Sequence, residues 1–303
     1  MTTCPESKLP PSVNYHLWQP CNMRCHHCFA TFEDVKKSGL PRGHLPRQQA
    51  QSIVALLAER FEKLTFAGGE PTLCPWLFDL MDIAKRRGTV TMLVTNGSLI
   101  DEPWLDRFAK NLDWLTLSID SADAATNVRM GRSVSGQALS PEAYAAMAKG
   151  ARERGIRLKV NTVLTRHNAG EDMRPLIAEI APERWKVLQA LPVIGQNDEG
   201  FADLACDDGA FHRFVDRHLS LNEAGIAVVP EDNHAMRGSY AMVDPGGRFF
   251  DNVDGAHHYS RPILDVGVDG AWKGIRFSMA LFDDRGGRYE FGKDGRKLPI
   301  VGG

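Results

Sequence analysis

Three cysteines crowd into one short segment, Cys21-Asn-Met-Arg-Cys25-His-His-Cys28-Phe29, directly after a strand-like stretch. Cysteine thiolates are the usual protein ligands of iron–sulfur clusters, and this spacing lets three of them converge from a single loop. Three ligands on a four-iron cluster leave one iron open to an exchangeable ligand. The segment therefore predicts a 4Fe-4S cluster held by Cys21, Cys25 and Cys28.

A zinc site that uses the same cysteines with His26 or His27 is the alternative interpretation. Zinc sites usually combine two separated pairs of ligands. No second CxxC or HxxxH spacing follows in the sequence, so the zinc interpretation is disfavoured. The remaining cysteines, Cys4, Cys74 and Cys206, are scattered, which is typical of a reducing compartment rather than of a disulfide framework.

Small polar residues follow the next strand-like segments. Ala67-Gly68-Gly69-Glu70-Pro71 and Asn96-Gly97-Ser98 each end such a segment, and glycines there let the backbone approach a ligand closely. Ordinary turn chemistry is the alternative for both. Ser118 and Asp120 share one face of a later strand, and Arg132 in the loop after it is either a surface residue or a ligand for a carboxylate.

Two late strands carry cations at alternate positions: Lys159 lies two residues before Asn161, and Arg184 two residues before Lys186. A solvated face is the usual reason for such pairs. In a parallel barrel, however, helices cover the outer face and the inner face is closed to water. Buried cations need anions. The pattern predicts a phosphate-rich substrate, and the other basic residues that could join the pocket are Lys63, Arg261, Arg285 and Arg288.

These residues are placed by alternating strand and helix patterns. Apolar residues recur at helical spacing in three segments that begin near Ala50, Leu77 and Tyr144. The alternation predicts βαβ units and a parallel sheet, with chemistry at the carboxyl ends of the strands. The predicted strands are Val13–Trp18, Lys63–Phe66, Val90–Thr95, Trp114–Asp120, Arg157–Leu164 and Trp185–Leu191.

The predicted fold class is α/β: a partial (β/α)6 barrel followed by an α+β extension that closes the active site. Residues 1–11 are expected to be a flexible N-terminus, 12–191 the barrel core and 192–303 the extension. Within the extension, the sequence predicts a helix over Asp208–Ala224 and short strands near Ile226–Val229 and Tyr240–Val243.

Bulk composition narrows the possible functions. The chain has 303 residues, 43% of them hydrophobic, and a formal net charge of −2. This charge argues against direct nucleic-acid binding, which usually requires a basic excess. No segment approaches the ~18 apolar residues that cross a bilayer, and no signal peptide is evident. We therefore expect a cytoplasmic protein without membrane association.

The cysteine spacing is the signature of the radical SAM superfamily, in which S-adenosylmethionine (SAM) occupies the open iron. Beyond it, the chain resembles the viperin family from about residue 12 to 291. The similar segments are Ser12-Val-Asn-Tyr-His16, Lys159-Val-Asn-Thr-Val163, Glu171-Asp-Met173, Arg184-Trp-Lys-Val-Leu-Gln189, Val229-Pro-Glu-Asp-Asn233, Ser239-Tyr240 and Ile263-Leu-Asp-Val-Gly267.

The resemblance implies dehydration of a nucleoside triphosphate, with CTP favoured, to its 3′-deoxy-3′,4′-didehydro analogue, which terminates viral RNA chains. A 5′-deoxyadenosyl radical from SAM would remove the ribose 4′ hydrogen, and the 3′ hydroxyl would leave as water. The alternatives are the same chemistry on UTP or GTP, or another radical SAM enzyme that acts on a phosphorylated substrate.

The resemblance also implies roles for individual residues. The residues implied for SAM are Gly68, Gly69, Glu70, Asn96, Ser118 and Arg132. Those implied for the triphosphate are Lys63, Lys159, Arg184, Lys186, Arg261 and Arg285. Asn161 and Glu231 would orient the nucleoside, and Tyr240 is the candidate proton donor.

Some positions depart from the family pattern. Ala67 stands where the family has Ser, Ile119 where it has Cys, and Arg261 where it has Lys. The amphipathic N-terminal helix and the C-terminal tryptophan of the animal proteins are absent. These departures suggest a soluble prokaryotic-type homologue in antiphage defence. We expect a monomer that receives electrons from a reductant of the flavodoxin or ferredoxin type.

Three other classes are disfavoured. Peptide-modifying or GTP-cyclising radical SAM enzymes generally carry further cysteine clusters, whereas Cys206 is the only cysteine after Cys74. A non-catalytic nucleotide sensor would have lost cluster ligands or the Gly-Gly-Glu element, and neither is lost. A redox or scaffold protein would not need the paired inward cations.

Overall fold

A computed structural model describes residues 8–292 of the chain. The expected flexible N-terminus lies largely outside this range, as do Cys4 and the residues after 292. Within it, the strands are β1 (Ser12–Trp18), β2 (Lys63–Gly68), β3 (Val90–Thr95), β4 (Trp114–Ser118), β5 (Arg157–Leu164), β6 (Arg184–Gln189), β7 (Ala227–Glu231), β8 (Met242–Val243), β9 (Arg248–Asp251) and β10 (His258–Pro262).

The helices cover the outer side of the strands or connect them. They are α1 (Glu33–Ser38), α2 (Arg47–Ala58), α3 (Leu77–Arg86), α4 (Glu102–Phe108), α5 (Ala124–Arg129), α6 (Pro141–Glu153), α7 (Arg174–Ile180), α8 (Phe201–Leu204), α9 (Asp208–His218), α10 (Asn233–Met236), α11 (Ile263–Trp272) and α12 (Met279–Asp284).

All ten strands form one sheet in the order β10-β9-β8-β1-β2-β3-β4-β5-β6-β7. Strands β1 to β7 run parallel, and β8 is parallel to β1 and antiparallel to β9. The order has two ends, β10 and β7, which is the topology of an open barrel. The predicted α/β fold with six core strands is therefore confirmed.

Alternation along the strands separates an apolar outer face from a polar inner face. On β5, Leu158 and Val160 are buried in the main hydrophobic core, where helices cover the sheet. The alternate residues of the same strand, Lys159 and Asn161, line an internal cavity instead. This alternation is what brings charged side chains into the barrel.

Local signals in the sequence begin several helices. Asp101 caps α4 by accepting a hydrogen bond from Trp104 N (2.8 Å), and Ser140 caps α6 by accepting one from Ala143 N (3.3 Å). Each cap is followed by a proline at the start of the helix, where the missing N–H costs nothing. On α2, the apolar positions Ala50, Ile53, Val54 and Leu57 are buried, as their spacing predicted.

The region after residue 191 differs from the expected covering layer. Instead of only packing on the barrel, it extends the sheet at both edges, with β7 beside β6 and β8 to β10 beyond β1. The predicted helix from Asp208 ends at His218 and continues as a 3₁₀ turn over Leu219–Asn222. The division into domains at residue 191 stays a prediction.

Candidate active site

Two cavities lie inside the barrel and share part of their lining. The larger, of about 930 Å³, is lined by the three clustered cysteines and by the loops that follow β2, β3 and β4. The smaller, of about 170 Å³, is lined by Lys63, Lys159, Lys186 and Arg285. The lining residues common to both are His16, Phe29, Ala67, Val94, Asn161, Leu188, Leu191 and Met236.

The cysteine loop is held by backbone contacts on one side. Arg24 N donates to Gly131 O (3.1 Å), and His26 N donates to Met130 O (3.0 Å). Gly131 has a φ of +77°, and a Cβ there would overlap the carbonyl oxygen of Arg24. A glycine is therefore required in the loop after α5, about one hundred residues away from the cysteines in sequence.

The Gly-Gly-Glu element holds the start of the same loop. Gly69 N donates to Trp18 O (2.5 Å), and Glu70 N donates to Pro20 O (2.9 Å). A Cβ at Gly68 or Gly69 would overlap the carbonyl oxygens of residues 18 to 20. The close approach that these glycines permit is thus to the protein's own backbone, and it fixes the chain just before Cys21.

The Glu70 side chain is fully buried and accepts several hydrogen bonds. Its Oε1 accepts from Thr72 N (3.0 Å), Thr72 Oγ1 (2.6 Å) and Thr95 Oγ1 (2.8 Å), and its Oε2 accepts from Asn96 N (2.8 Å). Burial raises the pKa of Glu70, and these donors oppose the rise. The carboxylate therefore connects the ends of β2 and β3, and Glu70 lines the larger cavity.

Asn96 and Ser118 also line the larger cavity. Asn96 Nδ2 donates to Asn22 Oδ1 (2.9 Å), and Asn96 Oδ1 accepts from Ser98 N (2.9 Å). Asn22 lies in the cysteine loop, so Asn96 connects the end of β3 to it. Ser118 is the last residue of β4 and pairs in register with Asn161 on β5.

Arg132 reaches a carboxylate of the protein itself. Its Nε donates to Asp120 Oδ2, and its Nη1 donates to Ser118 O (3.3 Å). His27 Nε2 lies 3.2 Å from the same Asp120 oxygen. Although burial acts in the opposite direction, Arg132 and His27 hold the pKa of Asp120 below its usual value. Asp120 therefore links Arg132 to the cysteine loop.

The three cysteines have the chemistry needed to bind the positively charged iron ions of a cluster. Burial raises the pKa of all three thiols, that of Cys25 to about 12, and the neighbouring thiols add to the rise at Cys25. Metal ions supply the charge that favours thiolates. Within residues 8–292, no group of three His, Cys, Asp or Glu side chains is arranged to hold a metal ion.

The cations of the smaller cavity come from several elements. Lys159 on β5 pairs in register with Arg184 on β6, and Lys63 begins β2. Lys63 Nζ donates to Tyr289 OH (2.7 Å) and lies 4.2 Å from the ring centre of Phe291. Burial, together with the other cations, lowers the pKa of both Lys63 and Lys159 well below its usual value.

Among the described residues, Glu231 is the acidic side chain that contacts cations of the smaller cavity. It accepts hydrogen bonds from Lys186 Nζ, Tyr240 OH and Arg285 Nη1, the last at 3.4 Å. Burial alone would raise the pKa of Glu231, but Lys186 and Arg285 lower it to about 2. Burial and Glu231 raise the pKa of Tyr240 well above 10, so its phenol keeps its proton.

Charge in this cavity is unbalanced. Four basic side chains line it, Lys63, Lys159, Lys186 and Arg285. Arg184 lies beside it, stacked on Tyr289, and one ionised carboxylate, Glu231, contacts Lys186 and Arg285. Burial, opposed by Glu231, lowers the pKa of Lys186 to about 8, with Arg285 and Arg184 adding to the decrease. Desolvated cations of this kind are stabilised by a bound anion.

Two predicted or suggested substrate residues lie elsewhere. Arg261 is exposed on β10 at the edge of the sheet and lines neither cavity. Arg288 is exposed and donates to Asp283 (2.7 Å). Of the C-terminal basic residues expected at the pocket, Arg285 therefore lines the smaller cavity, whereas the side chains of Arg261 and Arg288 face solvent.

Tyr289 is a site residue that the sequence reasoning missed. Arg184 stacks on its ring at 4.1 Å and also donates to Gly286 O (3.1 Å). Nearby, Trp114 Nε1 donates to Phe291 O (2.9 Å), and this contact secures the segment under the amino ends of the strands. In the sequence, Gly286-Gly-Arg-Tyr289 is typical of a simple turn. Only the folded structure shows that Tyr289 contacts Lys63 and Arg184.

Comparison with known proteins agrees with this geometry. Residues 17–180 match the family model described as the radical SAM superfamily. No helix in the described range is long and apolar enough to cross a membrane. The Streptococcus suis protein SuiB, solved with S-adenosylmethionine bound, superposes with a TM-score of 0.66 over 91% of this chain and 68% of its own, at 17% identity, which shows a shared fold.

Two curated relatives are each 46% identical over 93% of this chain, and both are named S-adenosylmethionine-dependent nucleotide dehydratase. One, from Flammeovirga pacifica, is covered over 96% of its length. This chain spans 59% of the length of the other, from Lacinutrix mariniflava. The similarity to viperin inferred from the motifs is confirmed. The chain therefore belongs to the radical SAM superfamily and, within it, to the family of S-adenosylmethionine-dependent nucleotide dehydratases, which use a 4Fe-4S cluster and SAM.

Proposed function

We propose that this protein dehydrates a nucleoside triphosphate, with CTP favoured, to its 3′-deoxy-3′,4′-didehydro analogue. The observation that carries the proposal is the joined pair of cavities. One is lined by the three cysteines, and the other by four basic side chains, two of which, Lys186 and Arg285, contact Glu231. A substrate that fits both must combine a polyanion with a carbon that a radical can attack.

The separation of the two sites favours a nucleoside triphosphate over a compact phosphate. Lys63 begins β2 and Gly68 ends it. At a rise of about 3.3 Å per residue, the two positions are about 16 Å apart. The anionic groups of the substrate must therefore lie many bonds from the reacting carbon. Asn161 lies between them, and its buried Oδ1 has no hydrogen-bond partner in the described structure, so it can accept from a ribose hydroxyl.

The residues proposed for the cofactors lie around the larger cavity. Cys21, Cys25 and Cys28 would hold the cluster, and Gly68, Gly69, Glu70, Asn96, Ser118 and Arg132 would surround SAM. When bound, the cluster and SAM supply a 5′-deoxyadenosyl radical that takes the ribose 4′ hydrogen atom. The protein orients the substrate and keeps water and side reactions away.

Tyr240 is the proposed proton donor. Loss of the 3′ hydroxyl as water needs one proton, and one further electron from a reductant completes the product. The raised pKa of Tyr240 means that its phenol keeps its proton until the reaction requires it. Its hydroxyl oxygen also accepts a hydrogen bond from Lys186 Nζ (2.9 Å), and Lys186 can therefore return a proton to Tyr240 after Tyr240 has donated one. Glu231 holds both groups in place.

A Tyr240→Phe variant tests this role, because the ring that Arg285 stacks on at 3.6 Å is kept. We expect SAM cleavage to continue while dehydrated nucleotide per 5′-deoxyadenosine falls by a factor of about 100 or more, the usual contribution of general acid catalysis. Normal coupling of the two products in the variant would remove Tyr240 from the mechanism.

The deciding experiment is anaerobic. The cluster is reconstituted and reduced, SAM is added, and CTP, UTP, GTP and ATP are offered separately. We expect one triphosphate to stimulate 5′-deoxyadenosine formation and to yield a nucleotide lighter by one water. SAM cleavage that no triphosphate alters would keep the radical chemistry but refute the nucleotide substrate. If UTP or GTP were the best substrate, the proposed reaction would stand and only the proposed nucleobase would change.

We further propose that the enzyme works as a cytoplasmic monomer, that it receives electrons from a reductant of the flavodoxin or ferredoxin type, and that its product acts in antiviral defence as a terminator of RNA chains. Measurement of the mass in solution, and of phage RNA synthesis in cells that produce the protein, tests the first and last points.

A further inference from the structure

The segment that follows β6 reaches across the barrel to the cysteine loop. Its Asn197 is buried, and Nδ2 donates to His27 O (3.2 Å) and to Leu191 O (3.0 Å). Asn197 Oδ1 accepts from Val193 N (2.9 Å). One amide group thus satisfies three backbone groups, and one of these belongs to the residue directly before Cys28.

Gln196 contacts the chain a few residues after Cys28. Its Oε1 accepts from Thr31 Oγ1 (2.8 Å) and from Phe32 N (2.8 Å). Its Nε2 donates to Asp34 Oδ1 (2.8 Å) in α1. The two neighbouring amide side chains therefore bracket Cys28, one before it and one after it.

The backbone around Phe32 needs such support. Phe32 is fully buried and has a φ of +52°, a conformation that is rare and strained for a bulky residue. Phe32 also lies directly before α1, and its side chain makes no hydrogen bond that caps the first turn of this helix. A buried backbone N–H without a partner is costly, and Gln196 supplies the partner.

The bracing segment is itself fixed to the sheet. Ile194 N donates to Gly255 O (2.8 Å), between β9 and β10, and Gln196 N donates to Val193 O (3.0 Å). Leu191, at its start, lines both cavities. The segment is therefore a firm support that extends from β6, the strand that carries Arg184 and Lys186, to the cysteine loop.

We propose that Gln196 and Asn197 are positioning residues for Cys28, and that they set how tightly the loop holds its cluster and how the cluster meets SAM. The proposal rests on the proposed role of the three cysteines as cluster ligands. Neither residue touches a cysteine side chain; each acts through the backbone on one side of Cys28.

The test compares three variants. Asn197→Ala removes the amide before Cys28. Gln196→Met keeps the length of the side chain but removes its hydrogen bonds. Asp198→Ala is the matched control, because Asp198 lies in the same segment and its side chain accepts only within it, from Gly195 N (2.7 Å). Thermal unfolding of the cluster-free proteins shows whether each variant folds.

The cluster itself gives the readouts. Partners of metal ligands typically contribute 10- to 100-fold to metal affinity. We expect iron loss to a chelator to be at least about 10-fold faster in Asn197→Ala and Gln196→Met than in Asp198→Ala. We also expect the electron paramagnetic resonance change that SAM induces in the reduced cluster to be weakened or absent in these two variants.

The outcomes separate the two proposals. Iron retention and a SAM-induced spectral change equal to those of Asp198→Ala would overturn the positioning role and leave the proposed function intact. A wild-type protein that binds no cluster would refute the cysteine assignment instead. If Asn197→Ala does not fold, Gln196→Met decides the question by the same measurements.

Discussion

The two ends of the barrel are built in different ways. At the carboxyl ends of the strands, three cysteines within eight residues lie in a loop fixed by backbone hydrogen bonds to Gly131, Met130 and the Gly-Gly-Glu element. The second cavity is lined by cations from β2, β5 and β6 and by Arg285 at the end of α12. Two of them, Lys186 and Arg285, contact Glu231, the last residue of β7. The first region is local in sequence, and the second is assembled from parts more than two hundred residues apart.

The electrostatics of the two ends also differ. The cysteine end has half-buried thiols whose raised pKa values are lowered by a positively charged partner. The other end has buried lysines whose lowered pKa values call for an anion. One end therefore lacks positive charge and the other lacks negative charge. A protein that binds a metal cluster at one end and a polyphosphate at the other is expected to show this difference.

The strongest test of this comparison is to disable one end at a time. We expect Cys25→Ala to abolish SAM cleavage, because a cluster ligand is lost, but to leave CTP affinity nearly unchanged, because Cys25 lines the larger cavity and not the one lined by the cations. Iron analysis, 5′-deoxyadenosine assay and calorimetry of nucleotide binding measure these three quantities.

Lys159→Met is the matched change at the other end. It should keep the cluster and weaken CTP binding by about 10-fold or more, because hydrogen bonds to charged groups contribute about 1.5–3 kcal/mol. If Cys25→Ala lost nucleotide binding to the same degree, the two ends would not be independent and the comparison would be wrong.

Glu231→Gln is expected to have the next largest effect, on stability. The wild-type carboxylate offsets the surrounding cations, and removal of one partner from a buried pair costs about 3–5 kcal/mol. Denaturant unfolding of the cluster-free variant measures the loss. Inorganic triphosphate should recover more stability in Glu231→Gln than in the wild type, and equal recovery would contradict the charge imbalance.

The pH dependence of stability provides a further check on Glu231. Its pKa in the folded protein is about 2, below the ordinary value of 4.5. The carboxylate therefore stabilises the fold above pH 4.5, and this contribution is lost as the pH falls from 4.5 toward 2. The wild type should lose stability in that window more steeply than Glu231→Gln does.

Nucleotide affinity should depend on pH at the cation end. The pKa of Lys186 is lowered to about 8, and those of Lys63 and Lys159 are also lowered, so these groups lose protons more readily without a bound anion. A bound triphosphate favours the protonated forms, so binding takes up protons and weakens as the pH rises above about 8. Calorimetry in buffers of different ionisation enthalpy measures the uptake, and binding without proton uptake would contradict the lowered pKa values.

The difference between the two ends explains what the sequence could predict. The cysteine loop is a short, continuous pattern, and the strands alternate so regularly that inward positions such as Lys159 and Asn161 follow from period two alone. Glu231 and Tyr240 came from the family resemblance rather than from a pattern. The roles of these residues stay predictions, although the structure brings them to the two cavities.

Other residues could not be found because their partners are distant in sequence. Nothing near Gly131 indicates that its missing Cβ makes room for Arg24 O, and nothing near Tyr289 indicates that it meets Lys63 and Arg184. Gln196 and Asn197 likewise look like ordinary loop residues. Contacts between loops depend on how the barrel turns, and hydrophobic periodicity does not encode that.

The smallest expected effect separates charge at the cavity from charge elsewhere. Arg261 is exposed on β10, whereas Arg184 is half-buried and stacks on Tyr289, which lines the smaller cavity. We expect Arg261→Ala to leave CTP affinity nearly unchanged, because its exposed side chain lies outside both cavities. Arg184→Ala should weaken CTP affinity by about 10-fold, the loss expected when a charged partner of an anion is removed. Both variants remove one arginine, so overall charge cannot explain a difference between them. A loss in Arg261→Ala equal to that in Arg184→Ala would mean that β10 moves toward the substrate on binding, and that the cation end extends past the cavity seen without a ligand.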